Sequence, residues 1–133
     1  MDCRTESNFL GFVDDIEPLY VAAHFHVAPT VSQEPYGLTV IEAKAHGVPS
    51  IVFPSGGLVE LVEHSRDGWI CDEPNARSLE TAIRHYLKHP DLLAEQGQAA
   101  FRSLRDRLRV QEYGERWAAI YEKCDRRACA AAP

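Results

Sequence analysis

The chain has little that ties it to a membrane, a metal or a nucleic acid. No apolar run approaches the roughly 20 residues that cross a bilayer. The opening MDCRTESNFL lacks the apolar centre of a signal peptide. Four cysteines are present, Cys3, Cys71, Cys124 and Cys129, with no C-x-x-C and no spacing of a disulfide framework. Free thiols in a reducing compartment are expected, and the cytoplasm is the expected location. Positive charge is scarce: 14 Lys and Arg stand against 20 Asp and Glu, a net charge of -6. Proteins that neutralise phosphates need the opposite balance, so no nucleic-acid partner is expected. The basic cluster Arg102 to Arg109 is broken by Asp106 and by leucines at helical spacing, and reads as a solvated helix face. No G-x-x-x-x-G-K-[ST] loop and no G-x-S-x-G elbow occurs, which leaves Ser55-Gly56-Gly57, Ser50 and His64 outside those chemistries. His24 and His26 share one face of a strand, but no third ligand stands at a suitable spacing, so no metal is expected.

What is present reads as one globular domain. The 133 residues are 45% hydrophobic and 26% charged, enough for a sizeable core. Short apolar runs predict strands at Asn8 to Val13, Phe25 to Ala28, Ser50 to Phe53 and Trp69 to Cys71. Helical spacing predicts helices between them: Ile16 to Ala23 with Asp14 or Asp15 as cap, one after Tyr36, and Gly57 to His64 with Ser55 suited to a cap. The remainder is helical. Asn75 caps a helix carrying Leu79, Ile83, Tyr86 and Leu87, Pro90 opens another, and the last carries Tyr113, Trp117, Ile120 and Tyr121. Strands alternating with helices predict an α/β fold, a parallel sheet with flanking helices that ends in C-terminal helices. Ligands of such sheets bind outside the carboxyl ends of the strands.

One stretch at that end, EPYGLTVIEAKAHGVP (Glu34 to Pro49), carries most of the chemistry. Pro35 biases Glu34 towards an extended backbone, and a helix is expected from Tyr36 or Gly37, carrying Leu38, Val40, Ile41 and Ala45. Gly47 suits a left-handed cap and Pro49 blocks continuation. The helix start offers backbone N–H groups at Gly37, Leu38 and Thr39 and the positive end of the dipole, which suits an anion. Glu42 lies roughly 7 Å further along the axis, where a carboxylate can accept two hydrogen bonds from a vicinal diol. A diphosphate at the helix start and a ribose at Glu42 fit one nucleotide, with Glu34 on the side where an attached sugar sits. The same residues also suit a plain reading, a dipole-favouring helix glutamate and a surface loop residue.

At these residues the sequence resembles the family-4 retaining glycosyltransferases of the GT-B fold. The resemblance runs from Asn8 to about Tyr121 through NFLGFVDDIEPLYVAAHFHVAPT, EPYGLTVIEAKAHGVPSIVF, SGGLVELVEHSRDGW and the Trp117 to Tyr121 pattern. It is similar to the latter part of the C-terminal, Rossmann-like nucleotide-sugar-binding domain. The implied organisation is a tail at residues 1–7, this partial domain at residues 8–123, and a disordered tail at residues 124–133. The resemblance implies transfer of a sugar from a UDP-, GDP- or ADP-sugar to an acceptor hydroxyl with retention. Glu34 would be the catalytic or positioning carboxylate on the donor sugar. Tyr36, Gly37, Leu38 and Thr39 would meet the sugar and diphosphate, Glu42 the ribose hydroxyls, and Phe12 and Val13 the base. No cofactor and no metal is implied, because the helix start and basic side chains stabilise the leaving diphosphate in this family. The family's Arg and Lys that meet the diphosphate have no match before Asn8. A further chain or domain supplying the other GT-B half is therefore an expected partner, and the chain is expected to be inactive alone. In doubly wound strand order, the strand at Asn8 to Val13 is expected to lose its neighbours. A non-catalytic nucleotide-sugar-binding or assembly module is the alternative.

Overall fold

The computed structural model describes residues 7–107 and 110–130. The expected tail at residues 1–7 falls almost wholly outside that range. In order, the elements are α1 (Glu17–Ala22), β1 (His26–Ala28), α2 (Leu38–Ala45), β2 (Ser50–Val52), α3 (Leu58–Leu61), β3 (Gly68–Ile70), α4 (Ala76–Lys88), α5 (Asp91–Arg107) and α6 (Val110–Ala130). The three strands form one parallel sheet in the order β1-β2-β3. This is the expected α/β architecture, with each crossover made by a helix.

The register explains how the layers form. Val27, Ile51 and Trp69 stand side by side, as do Ala28, Val52 and Ile70 one residue on. Alternation therefore sends the two rows to opposite faces. Ala28, Val52 and Ile70 pack with Val40 of α2 and Leu58 of α3, while Val27, Ile51 and Trp69 pack with Ala82 and Tyr86 of α4 and Leu93 of α5. The central strand β2 is buried throughout. Each fully buried side chain such as Ile51 or Leu58 contributes about 1.5–3 kcal/mol.

Local signals set the helix ends. Asn75 accepts a hydrogen bond from the Ser78 N–H at 2.9 Å and so caps α4. At the end of α2, the N–H of Val48 donates to Ala43 and that of Gly47 to Lys44, with Gly47 at φ 69°. That pairing is a Schellman stop, and Val48 packs with Ala43 beneath it.

Several expectations are corrected. Asn8 to Val13 is not a strand. No described segment pairs with it, and a strand without a ladder leaves its backbone groups to water. Phe9 is 100% exposed and Phe12 90%. α1 starts from Ile16 rather than an aspartate side-chain cap, although Asp15 Oδ1 accepts the Glu17 N–H at 3.1 Å. Ser55 does not cap α3; its hydroxyl donates to the Ser32 carbonyl. Helix α2 buries Val40, Ala43 and Lys44, while Leu38 and Ala45 lie exposed. Leu87 of α4 and the α6 residues Tyr113, Trp117, Ile120 and Tyr121 are exposed as well. α6 continues past Lys123 to Ala130, and residues 131–133 lie outside the described residues.

Candidate functional site

The loop after β1 and the first turn of α2 are built by close backbone contacts. Gly37 is the N-cap of α2 in the left-handed region, at φ 75°. A Cβ there would come within 2.7 Å of Leu58 and 2.9 Å of Leu61. Glycine is therefore favoured by the left-handed turn, while the leucine methyls of α3 close in beneath it. On the other side, the Gly57 N–H donates to the Glu34 carbonyl at 2.7 Å. Gly56, at φ 51°, lies so close that a Cβ would sit 2.3 Å from that same carbonyl oxygen. The Ser55-Gly56-Gly57 loop is thus a backbone cradle for Glu34 and Pro35, and the Ser55 hydroxyl ties it to Ser32.

That cradle aims the half-buried Glu34 side chain back at the helix. Its Oε1 accepts the Tyr36 N–H at 3.2 Å and the Gly37 N–H at 3.0 Å. The Gly37 N–H is therefore occupied, contrary to the expectation that it is open. The N–H groups of Leu38 and Thr39 have no partner among the described residues, because the first helical bonds run from Val40 and Ile41 to the Gly37 carbonyl. Tyr36 and Leu38 flank them as exposed side chains, 55% and 62% accessible. The helix start is thus two open donors, the positive end of a dipole and an apolar rim.

Glu42 lies on the exposed face of α2. It is held by a residue that the sequence reading missed. Tyr20 of α1 donates its hydroxyl proton towards Glu42 Oε2 at 3.1 Å, with the Thr39 carbonyl at 3.2 Å as a second acceptor. The Tyr20 ring is buried and stacked on His46, with centroids 5.4 Å apart and planes 15° apart, and meets His26 edge-on. His46 Nδ1 is 2.8 Å from the Glu42 carbonyl, which fixes a proton on that nitrogen. Burial, then the hydrogen bond and charge of Glu42, push the Tyr20 phenol up to about 12. The one prior signal for Tyr20 was its place in the apolar stripe of α1.

The structure brings Glu34, Tyr36, Gly37, Leu38, Thr39 and Glu42 together around one helix start. Phe12 and Val13 lie in the irregular segment before α1, and among the described residues no hydrogen bond or ring contact joins them to that group. Neither Glu34 nor Glu42 is ion-paired with a lysine or arginine among the described residues. His26 bonds the Ser50 hydroxyl through Nδ1 at 3.1 Å, and no cluster of three or more metal-ligating side chains occurs among the described residues. No helix among them is long and apolar enough to cross a membrane.

Acid sensitivity follows from His26. Burial lowers its pKa below 6.5, and the charge of Glu42 offsets this only in part. The unfolded chain then binds the extra proton, so stability rises with pH through this window and is lost as pH falls below 6.5. Melting midpoints between pH 7.5 and 5.5 are expected to fall with acid, and less so in His26→Asn. An equal slope in both proteins would remove His26 as the cause.

Comparison with known proteins identifies relatives over most of the chain. The family described as Glycosyl transferases group 1 matches residues 2–103. An uncharacterized glycosyltransferase of Haemophilus influenzae is 27% identical over 126 residues, covering 90% of this chain and 34% of its own length. The N-acetyl-alpha-D-glucosaminyl L-malate synthase of Bacillus anthracis is 26% identical, over 85% of this chain and 29% of its own. Among solved structures, Anabaena Alr3699/HepE in complex with UDP superposes with a TM-score of 0.80 at 26% identity, over 86% of this chain and 32% of that one. The chain thus spans about a third of the length of these relatives.

Proposed function

Because the chain belongs to the glycosyl transferases group 1 family, we propose that it is the donor-binding portion of a retaining, family-4 type glycosyltransferase, the latter part of a GT-B C-terminal domain. The observation that carries this is the pairing of two open N–H groups, Leu38 and Thr39, with a fixed carboxylate, Glu42, further along the same helix. The diphosphate of a nucleotide-sugar meets the helix start, where N–H groups and dipole favour an anion. Its ribose hydroxyls donate to Glu42. Glu34 faces the sugar, and Tyr36 and Leu38 border it. Phe12 and Val13 border the base. UDP, the nucleotide of the Anabaena complex, suits this arrangement, and so do GDP and ADP.

In the complete enzyme, the acceptor hydroxyl oxygen attacks the anomeric carbon as the bond to the diphosphate breaks, its proton passes to the departing phosphate oxygen, and configuration is retained. The leaving diphosphate gains charge, which the helix start stabilises in place of a metal. That charge needs more than a helix end. Since no lysine or arginine pairs with either glutamate among the described residues, the cations come from a further chain or domain that supplies the other half and the acceptor site. The reaction is set in the cytoplasm. The same observation favours a second reading, a nucleotide-sugar-binding module that acts only in such an assembly.

Calorimetric titration with UDP-, GDP- and ADP-glucose tests the donor site directly. One of the three is expected to bind, and Glu42→Ala is expected to weaken it roughly tenfold to a hundredfold, the worth of hydrogen bonds to a charged group. Unchanged affinity would remove Glu42 from the site, and no binding by any donor would remove the site from the isolated chain.

A further inference from the structure

Glu42 is exposed, and a glutamate on an exposed helix face has several rotamers open to it. A ribose diol is a geometric target: two hydroxyls must meet one carboxylate at once. In this structure the choice is already made, by α1. Tyr20 reaches 22 residues along the chain to place its hydroxyl 3.1 Å from Glu42 Oε2. Its own position is set four times over, by the stack on His46, the edge contact with His26, the packing against Ala43 and Val48, and the Thr39 carbonyl at 3.2 Å. Meanwhile His46 holds the backbone carbonyl of Glu42. Among the described residues, Glu42 Oε1 and the remaining lone pairs of Oε2 stay free to accept.

We propose that Tyr20 is a positioning residue that locks the Glu42 carboxylate for the ribose diol, so that discrimination between ribose and deoxyribose depends on α1. This rests on the reading of Glu42 as the ribose ligand. A tyrosine buried only for packing has no need of its hydroxyl at this place, since phenylalanine fills the same space between His46 and His26. The hydroxyl instead directs its one proton between two acceptors of α2, the Thr39 carbonyl at 3.2 Å and Glu42 Oε2 at 3.1 Å, the second on the side chain proposed to read the sugar. It donates and so leaves Glu42 an acceptor, which is the role a diol requires.

The test is calorimetric titration of the full chain with UDP, GDP and ADP, each against its 2′-deoxy counterpart. The wild type is expected to prefer the ribonucleotide by about tenfold. Tyr20→Phe keeps the ring, and its melting curve reports whether the fold is kept. It is expected to bring the ribo-to-deoxy ratio towards one, with the larger loss for the ribonucleotide, whose two hydroxyls both need the fixed carboxylate. In Glu42→Ala, adding Tyr20→Phe is expected to change nothing further, because the effect passes through the carboxylate. A ratio that survives Tyr20→Phe, or an equal loss for both nucleotides, would overturn the role of Tyr20 and leave Glu42 in place. A wild type that does not distinguish ribose from deoxyribose would overturn the reading of Glu42 and the role of Tyr20 with it, and one that binds none of the three would overturn both as properties of this chain.

Discussion

Replacing Lys44 with alanine is expected to cost about 3–5 kcal/mol of folding stability, the penalty for breaking a buried ion pair from one side. Lys44 sits in the middle of the segment that carries Glu34 and Glu42, yet it points away from them into the protein. Its ammonium lies 2.6 Å from Asp67 Oδ2, with side-chain exposures of 4% and 5%, and 3.1 Å from the Ser103 hydroxyl. Asp67 Oδ1 is used as well, accepting the Glu63 N–H at 2.8 Å. The pair therefore joins α2, the turn before β3 and α5 at one point. Without Lys44 the Asp67 carboxylate is left buried without its cationic partner. Urea unfolding at neutral pH measures the loss. Lys44→Met combined with Asp67→Asn is expected to be more stable than Lys44→Ala alone, because it leaves no unpaired charge. A loss below about 1 kcal/mol for Lys44→Ala would match a solvated surface pair instead.

Gly56→Ala is expected to be the most damaging single methyl addition near the site. The added carbon would lie 2.3 Å from the Glu34 carbonyl oxygen and 2.8 Å from its nitrogen, both backbone atoms that cannot rotate aside. The backbone at φ 51° adds its own cost. A non-glycine residue in that region loses about 1–2 kcal/mol before any clash is counted. Relief requires the two loops to part, which breaks the bond from Gly57 to Glu34 and releases the Glu34 carboxylate from Tyr36 and Gly37. Expected readouts are a total loss of about 2–4 kcal/mol in urea unfolding, and changed amide signals at Tyr36 and Gly37. Gly114 is the control. It lies in α6 with nothing within 4 Å of its added carbon, and alanine there is expected to be neutral or stabilising. Equal effects at both positions would mean that the cradle is not tight.

Much of this was legible in the sequence for local reasons. Asn75, Gly47 and Pro49 mark helix ends through contacts within a few residues, and the apolar runs at Val27, Ile51 and Trp69 mark buried strands. The site was legible because Glu34, the helix start and Glu42 lie in one short segment. What escaped depends on contacts between distant parts of the chain. Nothing near Lys44 in sequence announces Asp67 and Ser103 as its partners. Leu38 reads as core until α2 is seen to turn its other side inward. Tyr20 reads as one more apolar residue, since nothing near it in sequence says that Glu42 will meet its hydroxyl. The segment Asn8 to Val13 has the composition of a strand, but a strand is a property of two segments, and its partner is not among the described residues.

The meeting of Lys44 with Asp67 and Ser103 also has a consequence for the order in which the chain folds. The first contact closes a span of 23 residues and the second a span of 59. By chain statistics alone, the longer closure costs about 0.8 kcal/mol more in entropy. The strands β2 and β3 and the turn at Asp67 can thus assemble on α2 first, with the lysine already drawn to its aspartate. Helix α5 then arrives as the last wall, and its Ser103 hydroxyl meets a charge pair that is by then in place. On this order, substitutions at Asp67 slow folding, whereas substitutions at Ser103 mainly speed unfolding.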